Sequence, residues 1–176
     1  MFKFFKYKRI ASNLPAFSIL EIMAVILIVS VGLVGTVNMA IQNIQAQTVN
    51  NNNLVAYQLA QESLEVARQI RDTNWMQGNY WMDSLPSGRY CVDYRNLTPK
   101  SIAAVNDCPL YLDANNRYYG PIITGAEPSS SFSGFSRMLE VNIATSSASV
   151  TAIVSWTSRN GSAQSYMVET QLYDWY

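Results

Sequence analysis

Apolar and polar positions follow three different rhythms along this chain. Lys3, Lys6, Lys8 and Arg9 punctuate a short opening stretch that breaks at Asn13-Leu14-Pro15. From Phe17 to Val37 the positions are almost uniformly apolar, and Glu21 is the only charged side chain. Beyond them Ile41, Ile44, Thr48, Val55, Leu59, Val66 and Ile70 fall near one face at helical spacing. No proline occurs between Pro15 and Pro86 and no glycine between Gly35 and Gly78, while good helix formers crowd Leu54 to Gln69. Arg68 and Arg71 stand where cations complement a helix C-terminus. The pattern predicts one helix from about Phe17 to Asp72, roughly 84 Å long by the α-helical rise. Asn50 to Asn53 is its weak patch, either a local melt point or a polar face. Gly32 and Gly35 mark close helix approach or a place to unwind.

Thr73 to Tyr80 reads as a connector with aromatic anchors at Trp75 and Tyr80, continuing to Trp81. Leu85-Pro86-Ser87-Gly88 signals a turn, after which Arg89 to Tyr94 alternates as a first strand. Asn96 to Pro128 is irregular, with a short strand pair around Leu110–Leu112 and Arg117–Tyr119, and Glu127 to Gly134 is a Ser-rich loop. The C-terminal third changes to period two. Leu139, Val141 and Ile143 alternate with Glu140, Asn142 and Ala144, and Val150, Ala152, Val154 and Trp156 with Thr151, Ile153, Ser155 and Thr157. Asn160-Gly161 is a strong hairpin-turn signal, and Tyr166, Val168, Thr170 and Leu172 then face one way. The result is an antiparallel meander with one face available to the helix. The expected fold class is α+β: a long N-terminal transmembrane and amphipathic helix with a small antiparallel β-sheet domain packed on its distal half.

As a helix, Phe17 to Val37 covers roughly 31 Å, enough for the hydrocarbon core of a bilayer. A carboxylate near one end costs about 2.5–3.5 kcal/mol to insert deeply, so Glu21 needs interfacial water or a partner charge. Three ordinary accounts compete. A secretory signal has a shorter apolar core and a small-x-small cleavage site, which Asn38-Met39-Ala40 does not supply. A plain single-pass anchor fits the length and leaves Glu21 unexplained. A core helix of a soluble protein is disfavoured by so long an uncharged run. The leader carries four of the basic residues, and the next after the span is Arg68. The positive-inside rule therefore places the leader in the cytoplasm and everything after about Thr36 outside. Residues 1–16 are then a basic leader, 17–37 the transmembrane part of the helix, 38–72 its distal part, and 73–176 an extracytoplasmic antiparallel β domain. Basic and acidic residues balance at 12 each. Without the leader the chain is net acidic, so bulk charge offers nothing to nucleic acid.

A basic leader, a break, and then Phe17-Ser18 followed by two apolar residues and Glu21 resembles the class III signal of type IV prepilins and type II secretion pseudopilins. The resemblance implies a membrane-embedded prepilin peptidase that cuts between Ala16 and Phe17 and methylates the new N-terminus at Phe17. Glu21 becomes the fifth residue of the mature chain. The family favours Gly before the cut; this chain carries Ala16, the next smallest residue. Ala60-Gln61-Glu62 through Glu65, Arg68 to Asp72 with Trp75, Phe135-Ser136-Arg137, Val154-Ser155-Trp156 and Leu172 to Trp175 also look like segments of small minor-pilin-like proteins. The family's usual disulfide near the C-terminus is absent, which points to a minor pilin or pseudopilin. The implied partners are the peptidase, other pilins or pseudopilins, an inner-membrane assembly platform and the lipid bilayer. The implied location is the bacterial inner membrane and, after assembly, an extracytoplasmic filament or the cell surface.

Cys91 and Cys108 fall in the exported part, where a disulfide persists, and are expected to be bridged; the alternative is two free buried thiols. The chain has no histidine, which removes the usual general base, the usual zinc ligand and the Ser-His-Asp arrangement together. Asp107, Asp113, Asn115 and Asn116 offer oxygen ligands to calcium but lack EF-hand spacing. Glu62 and Glu65 read as a solvated helix face, Ser129-Ser130-Ser131 has no activating base, and the connector aromatics read as packing. No cofactor and no enzymatic activity are expected. The expected function is a structural subunit, a minor pilin or pseudopilin, with Glu21 as an assembly register mark. The alternative is a membrane-anchored extracytoplasmic binding or adhesion module that does not polymerise. An anchored hydrolase is the weakest option for want of catalytic residues.

Overall fold

The first element, α1, runs from Ile19 to Met76 without a break. The computed structural model describes residues 18–113, 115, 117–120 and 131–175. The chain divides into two units, Met1–Ala46 and Gln47–Tyr176. In the first, every described residue is helical or immediately precedes the helix, and all are exposed. The helix continues through Gly32, Gly35 and the run Asn50 to Asn53, so neither candidate breaker opens it.

α1 ends at Met76, four residues beyond the expected Asp72. The stop is a Schellman motif built on Gly78, whose φ of 72° lies in the left-handed region that glycine adopts without strain. Asn79 N–H donates to the Asn74 carbonyl at 2.9 Å and Gly78 N–H to the Trp75 carbonyl at 3.0 Å. Thr73 and Asn74 resemble connector residues but are spent within the fold. Thr73 Oγ1 donates to the Gln69 carbonyl at 2.7 Å, and Asn74 Nδ2 donates to the Trp81 carbonyl at 3.1 Å. The following turn carries Trp81, Met82 and Leu85 into the core, all fully buried.

Among the described residues, seven strands form one antiparallel sheet in the second unit: β1 (Gly88–Asp93), β2 (Asn96–Ser101), β3 (Pro109–Leu112), β4 (Tyr118–Tyr119), β5 (Ser131–Ile143), β6 (Ser147–Thr157) and β7 (Ala163–Tyr173). A 3-10 turn, Val105–Asp107, precedes β3. β5 is the spine. It pairs with β1 and β3 along one edge and with β6 along the other, and β7 closes the meander on β6. Two expectations need correction. Asn96 to Ser101 is a strand rather than irregular chain, and Ser131 to Gly134 belongs to β5 rather than to a loop. The remainder of that expected loop, Glu127 to Ser130, lies outside the described residues.

The architecture is α+β, with the distal part of α1 covering one face of the sheet. Ala148, Val150, Ala152, Val154 and Trp156 of β6, together with Leu139 and Val141 of β5, are buried on that face. The helix answers with Ala56, Leu59, Ala60, Ser63, Leu64, Val66, Ala67 and Ile70. Small side chains at Ala56, Ala60, Ser63 and Ala67 let the backbone approach the sheet, and Ser63 Oγ satisfies itself on the Ala60 carbonyl at 2.8 Å. Of the expected stripe, Leu59, Val66 and Ile70 lie in this core and Val55 packs on its margin. Ile41, Ile44 and Thr48 are exposed. The buried helical face is thus broader than the large apolar residues alone suggest, because alanine and serine fill much of it.

Candidate functional site

The N-terminal part of α1 is apolar and long enough to cross a membrane, and none of its most apolar stretch is buried within the protein. Leu20, Leu27 and Leu33 are 77%, 64% and 60% exposed. A continuous apolar surface of this extent has the length and composition of a membrane-spanning segment. Its polar groups are already provided for. Ser30 Oγ donates to the Leu27 carbonyl at 2.8 Å and Thr36 Oγ1 to the Leu33 carbonyl at 2.9 Å, so both hydroxyls are satisfied without water. A Cβ added at Gly32 or Gly35 meets nothing within 4 Å, so both glycines are shallow notches on an exposed face.

Glu21 is the exception among these groups. It sits in the first turn of α1, where its N–H donates to the Ser18 carbonyl at 3.0 Å. The unsatisfied N–H groups of a helix start favour a negative charge there. Ser18 precedes the first helical residue and Glu21 stands three further on, the residue order of a capping box. The carboxylate itself has no hydrogen-bond or ionic partner among the described residues. Ala16 and Phe17, named for cleavage and methylation, lie outside the described residues.

Cys91 and Cys108 are joined by a disulfide, with Cα atoms 5.5 Å apart, and both are fully buried. Gly120 packs over it, a Cβ there falling 3.5 Å from the Cys91 sulfur. Its N–H donates to Asp93 Oδ2, and Asp93 Oδ1 accepts the Arg95 N–H at 2.9 Å. Asp113 anchors the adjoining loop. It accepts the N–H groups of Asn115 and Arg117 at 2.8 and 2.9 Å and lies 2.9 Å from both the Arg95 and Arg117 guanidinium groups. The Arg117 N–H, with help from Asn115 and the Arg117 charge, holds this carboxyl below its ordinary value against the opposing push of burial. Asp107 accepts from Ala103 and Ala104 N–H at 3.2 and 2.9 Å, capping the 3-10 turn. The acidic groups considered for calcium are therefore engaged in loop bonds, and Asn116 lies outside the described residues. Among the described residues no three His, Cys, Asp or Glu side chains stand together.

Sequence reasoning missed one residue that organises the domain. Arg137 on β5 is 1% exposed and reaches back to α1. One terminal nitrogen donates to Glu62 Oε1 at 2.9 Å and to the Leu59 carbonyl at 3.2 Å; the other donates to the Val92 carbonyl at 2.9 Å. Glu62 is thus an ion-pair partner and not part of a purely solvated face. The signal lay in the period of two: counting back from Val141 and Leu139 places Arg137 on the buried side of β5. Glu65 pairs with Arg68 at 3.0 Å on the exposed surface.

Comparisons with protein-family models, with curated proteins and with solved structures return no match for this chain.

Proposed function

We propose that the chain is a structural subunit, a minor pilin or pseudopilin, of a type IV pilus-like or type II secretion filament. In this reading the leader is cytoplasmic, cleavage falls after Ala16, and the mature chain enters the filament through its apolar helix. The observation that carries the proposal is the double use of α1. One uninterrupted helix begins with an exposed apolar segment headed by a lone carboxylate, and further along supplies the core of an antiparallel sheet domain. A plain anchor requires the first feature without the carboxylate, and neither a signal peptide nor a soluble core helix requires both. The role is structural: the chain's acidic groups are read as structural contacts, and Glu21 as an assembly mark.

Co-expression with a prepilin peptidase tests the reading directly. Loss of residues 1–16 and a methylated Phe17, read by mass spectrometry, are expected. A full-length chain that stays in the membrane uncut beside an active peptidase identifies a plain anchor instead.

A further inference from the structure

Near the C-terminal end of α1, Arg71 lies against two indole rings with only 9% of its side chain exposed. Its guanidinium carbon is 4.7 Å from the centre of the Trp75 ring and 5.0 Å from that of Trp175. The two rings are 5.8 Å apart and inclined by 31°. Nε donates to Asp72 Oδ1 at 2.9 Å, whereas the two terminal nitrogens have no hydrogen-bond acceptor among the described residues. They are not sealed from solvent either, since among the described residues the sealed unpaired side-chain nitrogens are Trp81 Nε1 and Arg137 Nε. Arg71 lines an open groove of about 380 Å³ together with Asp72, Trp75, Met76 and Trp175.

A charged side chain this deeply buried is normally fully paired. Here the two indole faces and Asp72 offset the desolvation of the guanidinium while its outer fork stays available. That fork matches the spacing of a carboxylate's two oxygens. Trp175, 70% exposed, offers a flat apolar wall beside it. Asp72 already neutralises part of the local charge, which favours a singly charged ligand over a phosphate dianion.

We propose that this groove binds a carboxylated sugar ring, a uronic acid unit of a glycan, with the carboxylate on Arg71 and the C–H face of the ring on Trp175. The site lies wholly within the Gln47–Tyr176 unit and does not depend on whether the chain enters a filament. The test uses the full-length protein in zwitterionic detergent, with binding read on the ligand's own NMR signals. Methyl glucuronide is expected to bind saturably. Methyl glucoside and acetate, each lacking one of the two contacts, are expected to bind at least about tenfold more weakly, as is inorganic phosphate. Arg71→Gln removes the fork, and Trp175→Ala removes an exposed wall with little effect on the core; each is expected to weaken glucuronide at least about tenfold. No saturable binding below about 20 mM overturns the proposal. So does equal affinity for the glucoside, which makes the carboxylate irrelevant. Equal affinity for acetate or phosphate reduces the groove to a simple anion site, and unchanged binding by folded Trp175→Ala removes the stacking wall.

Discussion

Arg137 and Glu62 meet at 2.9 Å across 75 residues of sequence, joining β5 to the middle of the sheet-bearing part of α1. Because the same guanidinium also takes the Leu59 and Val92 carbonyls, it fixes the helix, β1 and β5 to one another at a single point. Hydrophobic packing is tolerant of small sliding; a buried fork with three acceptors is not.

Truncating the arginine should therefore be more damaging than neutralising its partner. Arg137→Ala leaves buried acceptors unpaired and is expected to cost about 3–5 kcal/mol. Glu62 is one-third exposed and Glu62→Gln keeps an acceptor oxygen, but it leaves the buried guanidinium without its counter-charge, so a smaller loss of about 2 kcal/mol is expected there. Denaturant unfolding of the full chain in detergent, followed by near-ultraviolet circular dichroism, compares the two. Similar losses for both variants would show that the carbonyl contacts contribute little.

Cys91 and Cys108 close a loop of sequence separation 17, worth about 3 kcal/mol in the chain-entropy account. Thiol labelling of the denatured, unreduced protein should find no reactive cysteine. Both sulfurs are buried beneath Gly120, so native protein should also resist reductant until the domain opens. Rapid reduction of the native state by mild thiol would contradict that burial.

The strands around Leu139, Val150 and Val168 were legible because each turns alternate apolar residues toward the core under α1, which imposes period two on the residues. β2 was not. It is an edge strand with Pro99 in it and no face fully buried, so its composition reads as loop. The opening of β5 was hidden for a related reason: Ser131 to Gly134 pairs with short β3, away from the main core. The helix end was misjudged at Asp72, because the Asn74 side chain, an apparent breaker, is satisfied by Trp81 across the turn. Glu21 stands out in any reading as the one charge in an apolar run. The Arg71 groove does not, since Trp75 and Trp175 approach only through the folded domain.

Gly78 tests the helix stop in isolation. A Cβ there meets nothing within 4 Å, so Gly78→Ala introduces conformational strain alone, from its φ of 72°. A loss of about 1 kcal/mol is expected, with Gly78→Asn recovering part of it. Thermal unfolding of both variants decides the matter, and an alanine variant as stable as the parent would mean that the turn relaxes freely.

Asp113 gives the domain an acid limb of defined sign. Its carboxyl is held below the ordinary value of 3.8, first by the Arg117 N–H. As pH falls, the unfolded chain takes the proton before the folded one does. The stabilisation is therefore complete above the ordinary value and is lost as pH drops through it toward the lowered one. Asp113→Asn should be less stable than the parent near neutrality, and the gap should narrow as pH falls below about 4. A gap that stays constant across that range would assign the effect to shape and hydrogen bonds rather than to charge.

In the filament proposed here, Glu21 carries the decisive test. The amino group that cleavage creates on Phe17 lies four residues before Glu21 in the chain, and a neighbouring subunit's amino group offers a second partner offset along the axis. In an apolar surround a carboxylate paired with such a charge resists separation far more than it does in water. A subunit seated at the wrong height leaves a buried charge unpaired, at a cost of about 3–5 kcal/mol. Glu21→Gln removes the penalty for misplacement together with the attraction for correct placement. Membrane insertion and cleavage after Ala16 should continue, because neither needs the charge, while incorporation into sheared filament fractions should fall. Glu21→Asp, reaching less far, should fall between the two. If Glu21 instead sits in headgroup water, the substitution removes only a screened, solvated charge and filament yield should not change. Following cleavage and incorporation in the same cells separates the outcomes, and normal incorporation of cleaved Glu21→Gln would leave the carboxylate without a register role.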